Sequence, residues 1–126
     1  MSALQVPAKT TLLVADDDQG VLRFVCSVLE RDGHSVIPAH DGSEALALAQ
    51  KYGQDIRVLL TDVRMPGLDG RALADAVVRL HPHIRVIYMT GFSEERFERG
   101  AVALRKPFRP EELKSAVSRS SACCPA

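Results

Sequence analysis

Short apolar runs and longer amphipathic stretches alternate along the chain. The first run, 10–15 (TTLLVA), stops abruptly at three aspartates. Runs of the same kind occupy 35–39, 58–61 and 85–90, and a shorter, weaker one occupies 101–104. None shows the clean apolar–polar alternation of a strand with one wet face. Continuous runs of this length fit strands covered on both sides, as in a parallel sheet.

The stretches between the runs carry helical spacing. Val21, Leu22, Val25, Val28 and Leu29 fall on one face, and Asp32-Gly33 closes that helix. Residues 43–52 are rich in Ala and Leu, with Ser43 placed to cap their start and Gly53 to stop them. Leu73, Ala76, Val77 and Leu80 form an i, i+3, i+4, i+7 stripe that His81-Pro82 ends. Leu113, Ala116 and Val117 stripe the last helix, whose first turn carries Pro110, Glu111 and Glu112. From 94 to 99 the chain offers Glu94, Glu95, Arg96, Glu98 and Arg99 with only Phe97 as an anchor, so the fourth of five helices is expected to be short or irregular. Strict alternation of strands and helices predicts one α/β domain over 10–119, a doubly wound five-stranded parallel sheet with helices on both faces. A disordered arm is expected at 1–9 and a tail at 120–126.

Composition narrows the function. The chain has 126 residues, 46% apolar and 25% charged, enough for one real core. Sixteen basic side chains balance sixteen acidic ones, so the basic excess that direct nucleic-acid binding requires is missing. No apolar run nears the roughly 20 residues that span a bilayer, and MSALQVPAKTT lacks the regions of a signal peptide. The expectation is a soluble, cytoplasmic domain without membrane contact. Cys26, Cys123 and Cys124 match neither a disulfide framework nor a zinc spacing. The ending Cys123-Cys124-Pro125-Ala126 is a poor prenylation box, since it holds a proline and has no polybasic support, and it reads as an oxidisable end.

In an open α/β sheet, ligands bind at the carboxyl ends of the strands. That rule gathers Asp16, Asp17 and Asp18 after the first strand, Asp62 at the end of the third, Thr90 at the end of the fourth and Lys106 after the fifth. Two carboxylates about 5 Å apart repel by roughly 3 kcal/mol at an effective dielectric near 20. A hard divalent cation such as Mg2+, which prefers oxygen ligands and bridges to phosphate, offsets that repulsion. With Lys106 and the Thr90 hydroxyl alongside, one carboxylate could carry a phosphoryl group. Each residue also has a plainer reading. Asp18 suits a helix N-cap, Asp16-Asp17 an acidic turn, and Pro66-Gly67 and Asp69-Gly70 turn chemistry with Asp69 as a cap. His81 and His83 flank a proline and read as structural.

Together the motifs resemble the receiver domain of two-component response regulators. Asp16-Asp17, LLTDVRMPGLDG (59–70), VIYMTG (86–91) and RKPF (105–108) occur in order at the strand ends, and the likeness runs from about 10 to 118. The resemblance implies a flavodoxin-like fold, with Asp62 accepting a phosphoryl group from a histidine kinase, its receiver-phosphorylating domain or a small phosphodonor. Mg2+ would sit on Asp17, on Asp16 through water, on Asp62 and on the Arg64 carbonyl. Thr90 and Lys106 would hold phosphoryl oxygens, and the Lys106-Pro107 bond would be cis. Such a domain regulates a protein target and catalyses only its own phosphorylation and dephosphorylation. A monomer or weak dimer is expected.

Two departures from the resemblance concern output. The interval from Thr90 to Lys106 is short, and Ala103 stands where relatives carry an aromatic ring. Arg64 and Phe92 are placed to screen a phosphoryl group from water. The departures keep a phosphate-independent docking receiver as the alternative. A dehalogenase-type phosphatase fits less well, because Gly20 replaces the Thr or Val expected two residues after Asp18. A nucleotide or flavin carrier is rejected, because such carriers cradle phosphate in a Gly- or Ser/Thr-rich loop and the Asp16-Asp17-Asp18 loop would repel it without a metal.

Overall fold

The computed structural model describes residues 10–91 and 102–122. The expected arm at 1–9, the irregular fourth helix with Phe92, and the cysteines at 123 and 124 lie outside the described residues. The elements run β1 (Thr11–Ala15), α1 (Gln19–Arg31), β2 (Ser35–Ala39), α2 (Gly42–Tyr52), β3 (Val58–Asp62), α3 (Gly70–Leu80), β4 (Arg85–Thr90), β5 (Val102–Arg105) and α4 (Pro110–Ala122). Every strand pairing is parallel and the order is β2-β1-β3-β4-β5. The doubly wound sheet expected from the apolar runs is therefore present, with four helices among the described residues. The last helix continues to Ala122, so position 119 falls inside it.

The strands read as unbroken apolar runs because each face of the sheet is covered. Leu13, Leu59, Val86 and Tyr88 pack with α2 and α3, while Leu12, Leu60, Ile87 and Met89 pack with α1 and α4. Alternate residues thus enter different cores, and both sets must be apolar. β2 is an edge strand, where Pro38 costs no ladder bond in the middle of the sheet.

The first helix forms as its spacing predicts. Asp18 caps it by accepting from the Gly20 and Val21 N–H groups. Its end is closed by Gly33, at φ 94°, and by the His34 N–H on the Leu29 carbonyl, 3.0 Å. Two details of the other helices differ from expectation. The cap of α2 is Asp41, not Ser43: Asp41 Oδ1 accepts the Glu44 N–H at 2.8 Å, and Glu44 Oε1 accepts the His40 N–H at 2.7 Å. The buried stripe of α3 is Gly70, Leu73, Ala74 and Val77, and Leu80 is exposed. The period is the expected one, but two of its members are small and do not stand out as apolar. The histidine pair is structural, as read: His83 Nε2 donates to the Gly53 and Ile56 carbonyls at 3.1 and 3.0 Å, fastening the α2–β3 turn to the α3–β4 turn.

Candidate functional site: an acidic pocket at the carboxyl edge of the sheet

Topology brings the acidic residues together. β1 pairs with β2 on one side and with β3 on the other, so the chain reverses direction across the sheet at the β1/β3 boundary. A crevice opens at such a reversal, beyond the strand ends. Asp16 follows β1 and Asp62 closes β3, and the two flank this crevice. Asp16 is fully buried, with its N–H on the Ala39 carbonyl and its Oδ1 accepting the Asp18 N–H at 2.9 Å. Oxygens of Asp16, Asp17 and Asp62 lie within 4.8 Å of one another. Asp62 is mostly buried, and its Oδ1 accepts the Arg64 N–H at 3.4 Å.

One ammonium answers these charges. Lys106 Nζ stands 3.1 Å from Asp16 Oδ2 and 3.3 Å from Asp62 Oδ2. Its backbone is fixed by the N–H donated to the Thr90 carbonyl at 2.7 Å, and the Lys106-Pro107 bond is cis as the resemblance implies. Thr90, nearly buried, ends β4 one residue beyond Met89, the register partner of Asp62. Burial is the largest influence on Asp16 and pushes its carboxyl above the ordinary value; the Asp18 N–H and Lys106 oppose that push, and Asp62 adds to it. For Lys106, burial works to lower the ammonium's value, but Asp16 and Asp62 outweigh it and raise it.

The sheet edge thus collects Asp16, Asp17, Asp62, Thr90 and Lys106, with Arg64 one turn of loop away. Asp18 is drawn off to cap α1. Two contacts are not apparent from the sequence motifs. A Cβ on Gly70 would overlap the Asp62 carbonyl oxygen, and a Cβ on Gly42 would overlap the Leu68 carbonyl oxygen. The visible signal for both is a repeated Asp-Gly doublet, 41–42 and 69–70, opening two helices.

A model of the response regulator receiver domain matches residues 12–118. The chain belongs to the response regulator receiver family. It is 30% identical over 114 residues to the response regulator receiver protein CpdR of Brucella abortus, covering 86% of this chain and 93% of that one. The sensor kinase CckA of the same organism is 30% identical over 121 residues, and there the chain covers 91% of itself but 13% of the kinase. Among solved structures, a receiver domain protein from Clostridium thermocellum superposes with a TM-score of 0.81 at 30% identity, over 88% of this chain and 93% of that one. A receiver is a phosphoacceptor signalling module of two-component systems and not a classical enzyme. Receivers are phosphorylated by histidine kinases, bind Mg2+ at an acidic pocket and regulate downstream effectors. Among the described residues, no helix is long and apolar enough to cross a membrane.

Proposed function

We propose that Asp62 is the phosphoacceptor of this receiver and that Asp16, Asp17, Asp62 and the Arg64 backbone carbonyl hold Mg2+. The observation that carries this reading is Lys106 bridging buried Asp16 and Asp62 inside a three-carboxylate pocket. The donor set fits the metal. Among the described residues, three carboxylates gather where Lys106 bridges two of them, and all the side-chain ligands are hard oxygens. When bound, Mg2+ would offset the mutual repulsion of these carboxylates and stabilise negative charge on the phosphoryl group.

The side chains then divide the work. An Asp62 carboxylate oxygen attacks phosphorus, the new O–P bond forms, and the bond to the donor's leaving group breaks. Lys106 passes from its carboxylate partners to a phosphoryl oxygen, and the Thr90 hydroxyl donates to another. Nothing here is proton chemistry on the acceptor, so positioning and charge supply the rate. The phosphodonor protein is a histidine kinase or its receiver-phosphorylating domain, in keeping with the receiver family to which the chain belongs. The phosphorylated form acts on a protein target in the cytoplasm. Incubation with Mg2+ and a small acyl phosphate should add one phosphoryl mass to the chain. Chelation of Mg2+ or Asp62→Asn should abolish the adduct; an adduct that survives both would refute the reading.

A further inference from the structure

Two helices on one face of the sheet open with the same doublet. Asp41 caps α2 and Asp69 caps α3, each accepting an N–H three residues on, and the glycine that follows each is buried. Neither glycine has a positive φ, so neither is there for backbone freedom. Each is there for space. Beyond its overlap with the Asp62 carbonyl oxygen, a Cβ on Gly70 would lie 2.9 Å from the Asp62 carbonyl carbon. A Cβ on Gly42 would overlap the Leu68 carbonyl oxygen and lie 2.9 Å from Leu68 Cβ. Real Cβ atoms essentially never come within 3.0 Å, and at both positions a backbone atom stands in the way, so something rigid would have to shift.

The loop that leaves the acceptor is therefore gripped at two points. Gly70 rests on the Asp62 carbonyl and donates its N–H to the Val63 carbonyl at 2.9 Å. Two residues earlier, Leu68 is pressed by the first turn of α2. That turn cannot retreat easily: the Asp41 and Glu44 bonds fix its start, and Ala45 and Ala49 are fully buried against the core. A methyl group at 42 must displace Leu68, and the displacement passes through Asp69 and Gly70 to Asp62.

We propose that Gly42, outside the acidic pocket, is a positioning residue for phosphoryl transfer to Asp62, a role that rests on Asp62 being the acceptor. Its missing side chain lets α2 hold the acceptor loop where Lys106 and Asp16 meet the Asp62 carboxylate. A shift of about 1 Å in a reacting group costs on the order of a hundredfold in rate.

The test is the rate of adduct formation at saturating Mg2+ with a small acyl phosphate, for the parent, Gly42→Ala and Ala49→Gly. Ala49→Gly loosens the same helix without touching the loop. Gly42→Ala should be phosphorylated at least tenfold more slowly while still melting cooperatively, and Ala49→Gly should keep the parent rate despite a lower melting temperature. Equal slowing of both variants, or parent-like phosphorylation of Gly42→Ala, would overturn the proposal. Coupling is reciprocal, so a measurement on the parent covers the case in which Gly42→Ala fails to fold. Beryllofluoride with Mg2+ should shift the Gly42 amide resonance and leave Gly53, at the other end of α2, in place. An unmoved Gly42 beside a perturbed Asp62 would count against the role. If the parent gains no phosphoryl adduct at all, the acceptor reading fails first and takes this one with it.

Discussion

Lys106 answers two carboxylates at once, and one of them is fully buried. Lys106→Met would remove the ammonium that Asp16 and Asp62 share, a loss of about 3 kcal/mol in the absence of metal. Added Mg2+ should restore most of that loss and should bind the variant more tightly than the parent, which chemical denaturation with and without the ion can check. Asp16 gives a pH signature of the same conflict. Its folded-state value lies above the ordinary 3.8, so the folded protein holds that proton more firmly than the unfolded chain does. Without metal, stability from this group falls as pH rises from about 4 through the raised value. Mg2+ needs the ionised form, so its stabilisation should be larger at pH 7.5 than at about pH 4, where a carboxyl raised above its ordinary value keeps most of its proton. Thermal melts showing the same increment at both values would be inconsistent with metal on Asp16. At this scale the sequence was unusually readable, because strand ends place Asp16, Asp62, Thr90 and Lys106 by rule. What it could not show was a steric fact, the space that Gly42 and Gly70 leave free, since a glycine looks alike whether it serves a turn or a contact.

Helix ends separate what spacing reveals from what it hides. Asp41 and Ser43 both precede a helical stretch, and either could cap it by composition. The structure assigns the cap to Asp41, with the Glu44 N–H at 2.8 Å. Asp41→Ala should cost about 1 kcal/mol, and Ser43→Ala less than about 0.5 kcal/mol, in urea denaturation. Reversed costs would return the cap to Ser43. In α3 the stripe was shifted by three residues because Gly70 and Ala74 carry little apolar signal, whereas Leu80 carries much and is exposed. α1 suffered no such ambiguity. Five of its six large apolar residues share one face, which sets the orientation and leaves Phe24 exposed, and its Asp18 and Gly33 ends are chemically distinct.

The whole molecule turns one topological choice into a site. Placing β1 between β2 and β3 puts Asp16 beside Asp62, although 46 positions separate them in the chain (62 less 16). The strand order itself was not written in any apolar run; the resemblance implied only a flavodoxin-like fold, and the structure supplies the order β2-β1-β3-β4-β5. Layer assignment likewise needed the structure, since the unbroken apolar strands give both faces equal claim to every helix. The proposed role of Asp62 as phosphoacceptor is tested most directly by locating the phosphoryl group on the chain. The chain would be incubated with Mg2+ and a small acyl phosphate, reduced with borohydride to convert any aspartyl phosphate to homoserine, and mapped by peptide mass spectrometry. The conversion is expected at position 62 alone; conversion at Asp16 or Asp17, or an adduct on a histidine, would contradict the account.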